Sequence, residues 1–264
     1  MLFHAQNGHI AGTDYIRFGS GNRNLIILPG LGDGLQTVKG TALPMAWMYR
    51  IFAKDFTVYM FSRKTDLPQN HSTRDMAQDL CAAMDALGIK IADVLGVSMG
   101  GMIAQWLAID HPEKVDRLIL TVTSSQPDPI LTASIEEWMD QARQNDHRAL
   151  MDSNMRKIYS ETYCRKNGWM IPILGVITKP KSYGRFLIQA ESCLNHDAFP
   201  HLPKIHCPTL VIGGERDKAL GPDASREIAA QIPDAQLKMY PQWGHGLYEE
   251  AKDFNQIVLN FIRR

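Results

Sequence analysis

The chain carries no net charge, few cysteines and no apolar run long enough to cross a bilayer. Lys plus Arg and Asp plus Glu stand at 28 each in 264 residues, without extended charge runs. Nothing in that balance attracts nucleic acid or an anionic membrane surface. The longest apolar stretch, residues 169–177, is too short to span and contains Pro172. Cys81, Cys164, Cys193 and Cys207 show neither C-x-x-C spacing nor a neighbouring ligand pattern, so reduced, mostly buried thiols are expected. The first residues offer neither a basic region nor an apolar core of a signal peptide, and a cytoplasmic protein is expected. No phosphate cradle is present either: Gly30-Leu31-Gly32-Asp33-Gly34 matches neither G-x-x-x-x-G-K-S/T nor G-x-G-x-x-G. No repeat or low-complexity tract appears.

Against these absences stands Gly96-Val97-Ser98-Met99-Gly100. It follows a short apolar segment, 91–95, and opens a stretch with helical apolar spacing at Met102, Ile103, Trp106, Leu107 and Ile109. A serine between glycines at a strand-to-helix junction is what a strained nucleophile elbow requires. The glycines permit a tight turn, which lifts the hydroxyl clear of the sheet. The Met99 N–H, opening the helix, then faces a developing oxyanion with the helix dipole behind it.

The rest of the chain alternates strands and helices. Asn7-Gly8 predicts a hairpin turn between two antiparallel strands before about residue 18. Buried strands are expected at 24–28, 56–61, 115–122, 208–213 and 236–240, with helices at 45–52, 72–87 and through Phe254, Ile257, Val258 and Phe261. Ser72-Thr73-Arg74-Asp75 resembles a capping box with Asp in the place of Glu. The pattern predicts an α/β fold with a mostly parallel sheet flanked by helices. Residues 127–203 break the rhythm with successive helices near 132–145, 147–164, 168–178 and 181–194. They read as a cap inserted into a core of residues 1–126 and 204–264.

A serine hydroxyl needs a base, and the base needs a third group to fix its tautomer. Among nine histidines only His245 follows the last predicted strand and sits between glycines. Asp217, just past the 208–213 strand, is the favoured acid because the order Ser…Asp…His suits it. Asp128, after the preceding strand, is the second candidate, and Glu215 and Asp223 are less well placed. A second oxyanion donor is expected from the turn Pro29-Gly30-Leu31-Gly32, through the Leu31 N–H.

These residues resemble the α/β-hydrolase superfamily along essentially the whole chain. The carriers are Leu28-Pro29-Gly30-Leu31-Gly32, the elbow through Gly101, Gly213-Gly214-Glu215-Arg216-Asp217, and Gly244-His245 followed by Glu250. The resemblance implies, in that order, oxyanion loop, nucleophile, acid and base, together with a helical lid over the site. Pro29 stands where many relatives have histidine, and Ser62-Arg63-Lys64-Thr65-Asp66 replaces the usual D-x-R-G-x-G.

The expected activity is carboxylesterase-like hydrolysis of a neutral, moderately hydrophobic small acyl substrate through an acyl-enzyme on Ser98, without metal or organic cofactor. Trp169, Met170 and Ile173 are expected to contribute to the pocket. The same triad also serves acyltransferases, aminopeptidases, lactonases, C–C hydrolases and lyases, and a non-catalytic receptor could retain it. Dehalogenase chemistry would want Asp at position 98.

Overall fold

The computed structural model describes residues 2–264. The chain opens with β1 (Gln6–Ile10) and β2 (Thr13–Phe18), an antiparallel hairpin. Its turn lies at Ala11 and Gly12, both at positive φ (48° and 78°), and not at Asn7-Gly8. Gly8 instead sits inside β1 opposite Tyr15, whose ring comes within 2.2 Å of where a Cβ would stand. That glycine is present to admit a ring, a requirement that mimics a turn signal in the sequence.

Next come β3 (Arg23–Leu28), α1 (Ala42–Met48), β4 (Phe56–Lys64), α2 (Thr73–Ala86), β5 (Ala92–Val97), α3 (Met99–Asp110) and β6 (Val115–Thr121). The capping box at Ser72 is formed, with Ser72 Oγ accepting from the Asp75 N–H and the Asp75 carboxylate accepting from the Ser72 N–H. Five helices then intervene: α4 (Pro129–Arg143), α5 (His147–Ile158), α6 (Glu161–Asn167), α7 (Ile171–Ile177) and α8 (Gly184–Leu194). The chain returns through β7 (Thr209–Gly214), α9 (Asp223–Gln231), β8 (Gln236–Tyr240), α10 (Leu247–Glu250) and α11 (Phe254–Ile262).

The helix expected over 147–164 divides into α5 and α6. Tyr159 is extended there, and the Ser160 hydroxyl caps α6 by accepting from the Tyr163 N–H. The break is tertiary in origin. The Gly246 N–H donates to the Ile158 carbonyl at 2.7 Å, and Ser160 donates to Glu250 through both its N–H (3.0 Å) and its hydroxyl (2.6 Å).

The eight strands lie in the order β1-β2-β4-β3-β5-β6-β7-β8, parallel from β4 to β8, with β2 antiparallel to both neighbours. Alternation along the strands divides the core. On β3, Ile26 and Leu28 join one apolar layer with α2 and α3, while Leu25 and Ile27 join another with α1 and α11. The order reverses between β3 and β5: the chain leaves β3 toward β4 on one side and leaves β5 toward β6 on the other. Loops diverging from such a switch point leave a crevice at the strands' carboxyl ends, where open α/β sheets bind ligands. The Pro29–Gly32 turn and Ser98 lie at that point.

His196 ties the end of the inserted helices to the core. It is buried, with Nδ1 2.8 Å from the Thr73 hydroxyl and its ring edge against Trp106. Burial pushes its pKa down to about 3, so the folded state holds it neutral while the unfolded chain protonates near 6.5. Its contribution to stability is therefore complete above pH 6.5 and is lost as pH falls from there toward 3. We predict that urea unfolding shows a loss approaching about 1.4 kcal/mol per pH unit below pH 6 from this one proton. A His196→Asn variant should have a shallower slope over the same range.

Candidate active site

Ser98 occupies the corner between β5 and α3 with φ 53° and ψ −124°, a conformation that L-residues avoid and that costs about 1–3 kcal/mol. Its surroundings hold it there. The Ser98 N–H donates to the Thr121 carbonyl at 2.9 Å, and its carbonyl accepts from Thr123 Oγ1 at 2.7 Å and from the Gly101 N–H at 2.8 Å. Val122, beside it at the end of β6, also has positive φ (42°) and donates to the Ile212 carbonyl. Gly100 lets the new helix press against β3, since a Cβ there would lie 2.1 Å from the Leu28 carbonyl oxygen.

His245 and Asp217 come together from separate loops. His245 follows β8, Asp217 follows β7, and both are buried. His245 Nδ1 is 2.8 Å from Asp217 Oδ2. The other carboxylate oxygen accepts from the Ala219 and Leu220 N–H groups at 2.8 and 3.0 Å, so the Asp217 side chain is fixed on both sides. That pairing places a proton on Nδ1 and leaves Nε2 as the free base. His245 and Ser98 line the same cavity.

The rival acids are engaged elsewhere. Asp128 caps α4, accepting from the Ile130 and Leu131 N–H groups at 2.7 and 2.8 Å. Glu215 and Asp223 both pair with Arg226.

Leu31 and Met99 each open a helical segment, a 3₁₀ turn (Leu31–Gly34) and α3 respectively. First-turn amides have no acceptor within their own helix, so both N–H groups remain available. Arg63 sets the direction of the first. Its guanidinium donates to the Pro29 carbonyl at 2.6 Å and, at 3.4 Å, to that of Gly30. In a trans peptide the N–H points opposite the carbonyl, so the Leu31 amide faces away from Arg63. Gly30 allows this loop to approach the elbow closely, with a Cβ there only 3.3 Å from that of Ser98.

Asp33 secures the same loop from below. It is 1% exposed at the side chain, accepts from the Arg63 N–H at 3.1 Å and pairs with Arg185 Nη2 at 2.5 Å. Arg185, on α8, also donates to the carbonyls of Asp33, Arg63 and Lys64. Sequence reasoning missed this network. Its members are far apart in the chain, and no local pattern connects them.

The cavity above Ser98 measures about 440 Å³. Its apolar wall comes from Met45, Met48, Met60, Trp138, Met151 and Phe186, among others. Trp169, Met170 and Ile173 are not among its lining residues, which corrects the expectation from sequence. Trp169 is 69% and Ile173 52% exposed. The reason is packing: α7 stacks on α5, so α5 presents Met151, Asn154 and Ile158 to the cavity and the segment beyond it faces solvent. Tyr49, Tyr159, Tyr248 and Glu249 also line the cavity and were not anticipated.

Comparisons with known proteins agree with this architecture. The family described as alpha/beta hydrolase fold matches residues 23–252. The chain belongs to the alpha/beta hydrolase family. A Caulobacter sp. (strain K31) protein, provisionally named as the carbamate hydrolase RutD, is 28% identical over 92% of this chain and 91% of its own length. The 2-hydroxy-6-oxo-6-phenylhexa-2,4-dienoate hydrolase of Comamonas testosteroni is 27% identical over 82% of this chain and 78% of its own. Among solved structures, the enol-lactonase from Burkholderia xenovorans LB400 superposes with a TM-score of 0.81 at 22% identity, covering 98% of this chain and 100% of that one. Family and relatives mark the protein as a hydrolase. Among the described residues no helix is long and apolar enough to cross a membrane.

The Asp33 network generates a prediction. Asp33→Asn leaves the buried Arg63 guanidinium without its counter-charge, and breaking a buried pair in this way costs about 3–5 kcal/mol. The urea midpoint should fall accordingly. Turnover should fall with it in protein that remains folded, because the Leu31 loop loses its anchor.

Proposed function

We propose that this protein is a serine hydrolase that opens an ester or related acyl bond of a small, moderately hydrophobic molecule through an acyl-enzyme on Ser98. The observation that carries this reading is the meeting of Ser98, His245 and the Leu31 loop around one cavity, with Asp217 Oδ2 2.8 Å from the imidazole. Residues 127–203 act as the lid, since α4, α5 and α8 supply Trp138, Met151 and Phe186 to the cavity wall.

In the first half-reaction Ser98 Oγ attacks the acyl carbon while His245 Nε2 takes its proton. Asp217 holds the Nδ1 proton and stabilises the imidazolium. The carbonyl oxygen becomes an oxyanion that accepts from the Leu31 and Met99 N–H groups. Removing one such donor typically costs about 2.7–4 kcal/mol of barrier. His245 then returns its proton to the departing alkoxide as the bond to carbon breaks. In the second half-reaction water replaces the serine as attacking group, His245 takes the water proton, and Ser98 leaves protonated.

The lining favours substrates without a negative charge. No lysine or arginine lines the cavity among the described residues, whereas Glu249 does. The Comamonas relative is named for a dienoate, whose carboxylate would meet no cation here. Esterase activity on uncharged acyl groups is thus better supported than C–C cleavage of an anionic dienoate.

Two measurements test this. Ser98→Ala should lower kcat/KM on a neutral p-nitrophenyl ester by about 10⁴–10⁶-fold, with the fold intact by circular dichroism. Turnover retained in that variant refutes the mechanism. In a panel of matched esters, those with an uncharged acyl chain should be cleaved faster than those ending in a carboxylate, and the reverse order refutes the substrate assignment.

A further inference from the structure

We propose that the end of the cavity beside the His245 loop is a subsite for an organic cation, an alkylammonium group carried by the substrate. Tyr49, Tyr159, Tyr248 and Glu249 come together there from three places in the chain: the end of α1, the α5–α6 break, and two successive positions of α10. Three aromatic rings and one carboxylate on a cavity wall form the chemistry that recognises ammonium groups. Ring faces attract a cation, and a carboxylate offers it a counter-charge.

The details support an organic cation over a neutral group. Glu249 Oε2 accepts from the Tyr159 hydroxyl at 2.9 Å, and among the described residues no lysine, arginine or histidine pairs with it. It is an exposed residue that also lines the cavity, so a ligand seated there reaches it. Desolvation by the surrounding protein raises its pKa, and Glu250 raises it further, while hydrogen bonds from Tyr159 and Tyr248 oppose them. A cation seated beside it would supply the missing positive charge. Tyr159 is held in orientation by stacking on Tyr163, with ring centroids 4.2 Å apart. A carboxylate serving only to clamp the lid is already present next door: Glu250 receives both donors of Ser160.

The inference rests on hydrolysis at Ser98 and narrows it. Anionic substrates are disfavoured by the lining, and cationic ones are admitted at this end. The test compares two esters of nearly equal shape, acetylcholine and 3,3-dimethylbutyl acetate, which differ in a quaternary nitrogen for a quaternary carbon. The wild type should favour the cationic ester by about tenfold or more in kcat/KM, mostly through KM. Glu249→Gln should bring that ratio close to one, and Tyr159→Phe should reduce it less. Tetramethylammonium should slow modification of Ser98 by a fluorophosphonate, while neopentyl alcohol at the same concentration should not.

A wild-type ratio of one or less overturns the subsite. So does a Glu249→Gln variant whose two rates fall in parallel, because that outcome marks a purely structural carboxylate. Absence of tetramethylammonium protection on Ser98 overturns it even where neither ester is turned over. Failure of Ser98 to react with any ester or fluorophosphonate is a different result, and it removes the parent reading instead.

Discussion

The structure depends on a serine held at positive φ where the central strand becomes a helix. Left to itself, the backbone at Ser98 would relax into an allowed region and turn the hydroxyl away from the cavity. Four hydrogen bonds, from the Ser98 N–H to Thr121 and to the Ser98 carbonyl from Thr123, Gly101 and Met102, keep it in place. Their partners belong to β6, the residues just after it and α3, so the geometry of one residue is set by the neighbouring strand and helix of the parallel sheet. The same sheet delivers the Leu31 loop and the Asp217–His245 pair to its carboxyl edge. Strain at one position is thus balanced by order across β3, β5, β6, β7 and β8.

The inserted helices are joined to that edge by polar contacts as well as by apolar packing. Arg185 reaches down from α8 to Asp33 and to three carbonyls around the Leu31 loop, and the α5–α6 break docks on the His245 loop through Ile158, Tyr159 and Ser160. Both anchors land on loops that carry proposed catalytic groups. Displacing the insertion would therefore disturb Leu31 on one side and His245 on the other, which links closure of the cavity to competence of the site.

Much of this was legible in the sequence where one residue type serves one local purpose. The elbow, the capping box at Ser72 and the buried strands are of that kind, because glycine placement, a serine cap and runs of aliphatics each leave a short-range pattern. The Asp217–His245 contact was accessible from order along the chain, since the parallel sheet returns successive loops to one edge. Other features depend on neighbours remote in sequence. Gly8 resembles a turn residue but makes room for Tyr15. Trp169 and Ile173 read as pocket residues because they are large and apolar, yet α7 and the turn before it lie outside α5 and leave them facing solvent. Glu249 shows no distinguishing pattern beside Glu250, and only the fold separates the one on the cavity from the one on Ser160. Arg185 and Asp33 are 152 residues apart, too far for spacing to connect them.

The central claim is that Ser98 is an activated nucleophile, poised by His245 and facing two backbone donors. Its most direct test is reaction of the purified protein with a fluorophosphonate, followed by intact mass and peptide mapping. The account predicts one adduct per chain, on the peptide containing Ser98, formed rapidly in the wild type and greatly slowed in His245→Ala. Absence of an adduct, or an adduct on another residue with Ser98 unmodified, would contradict it.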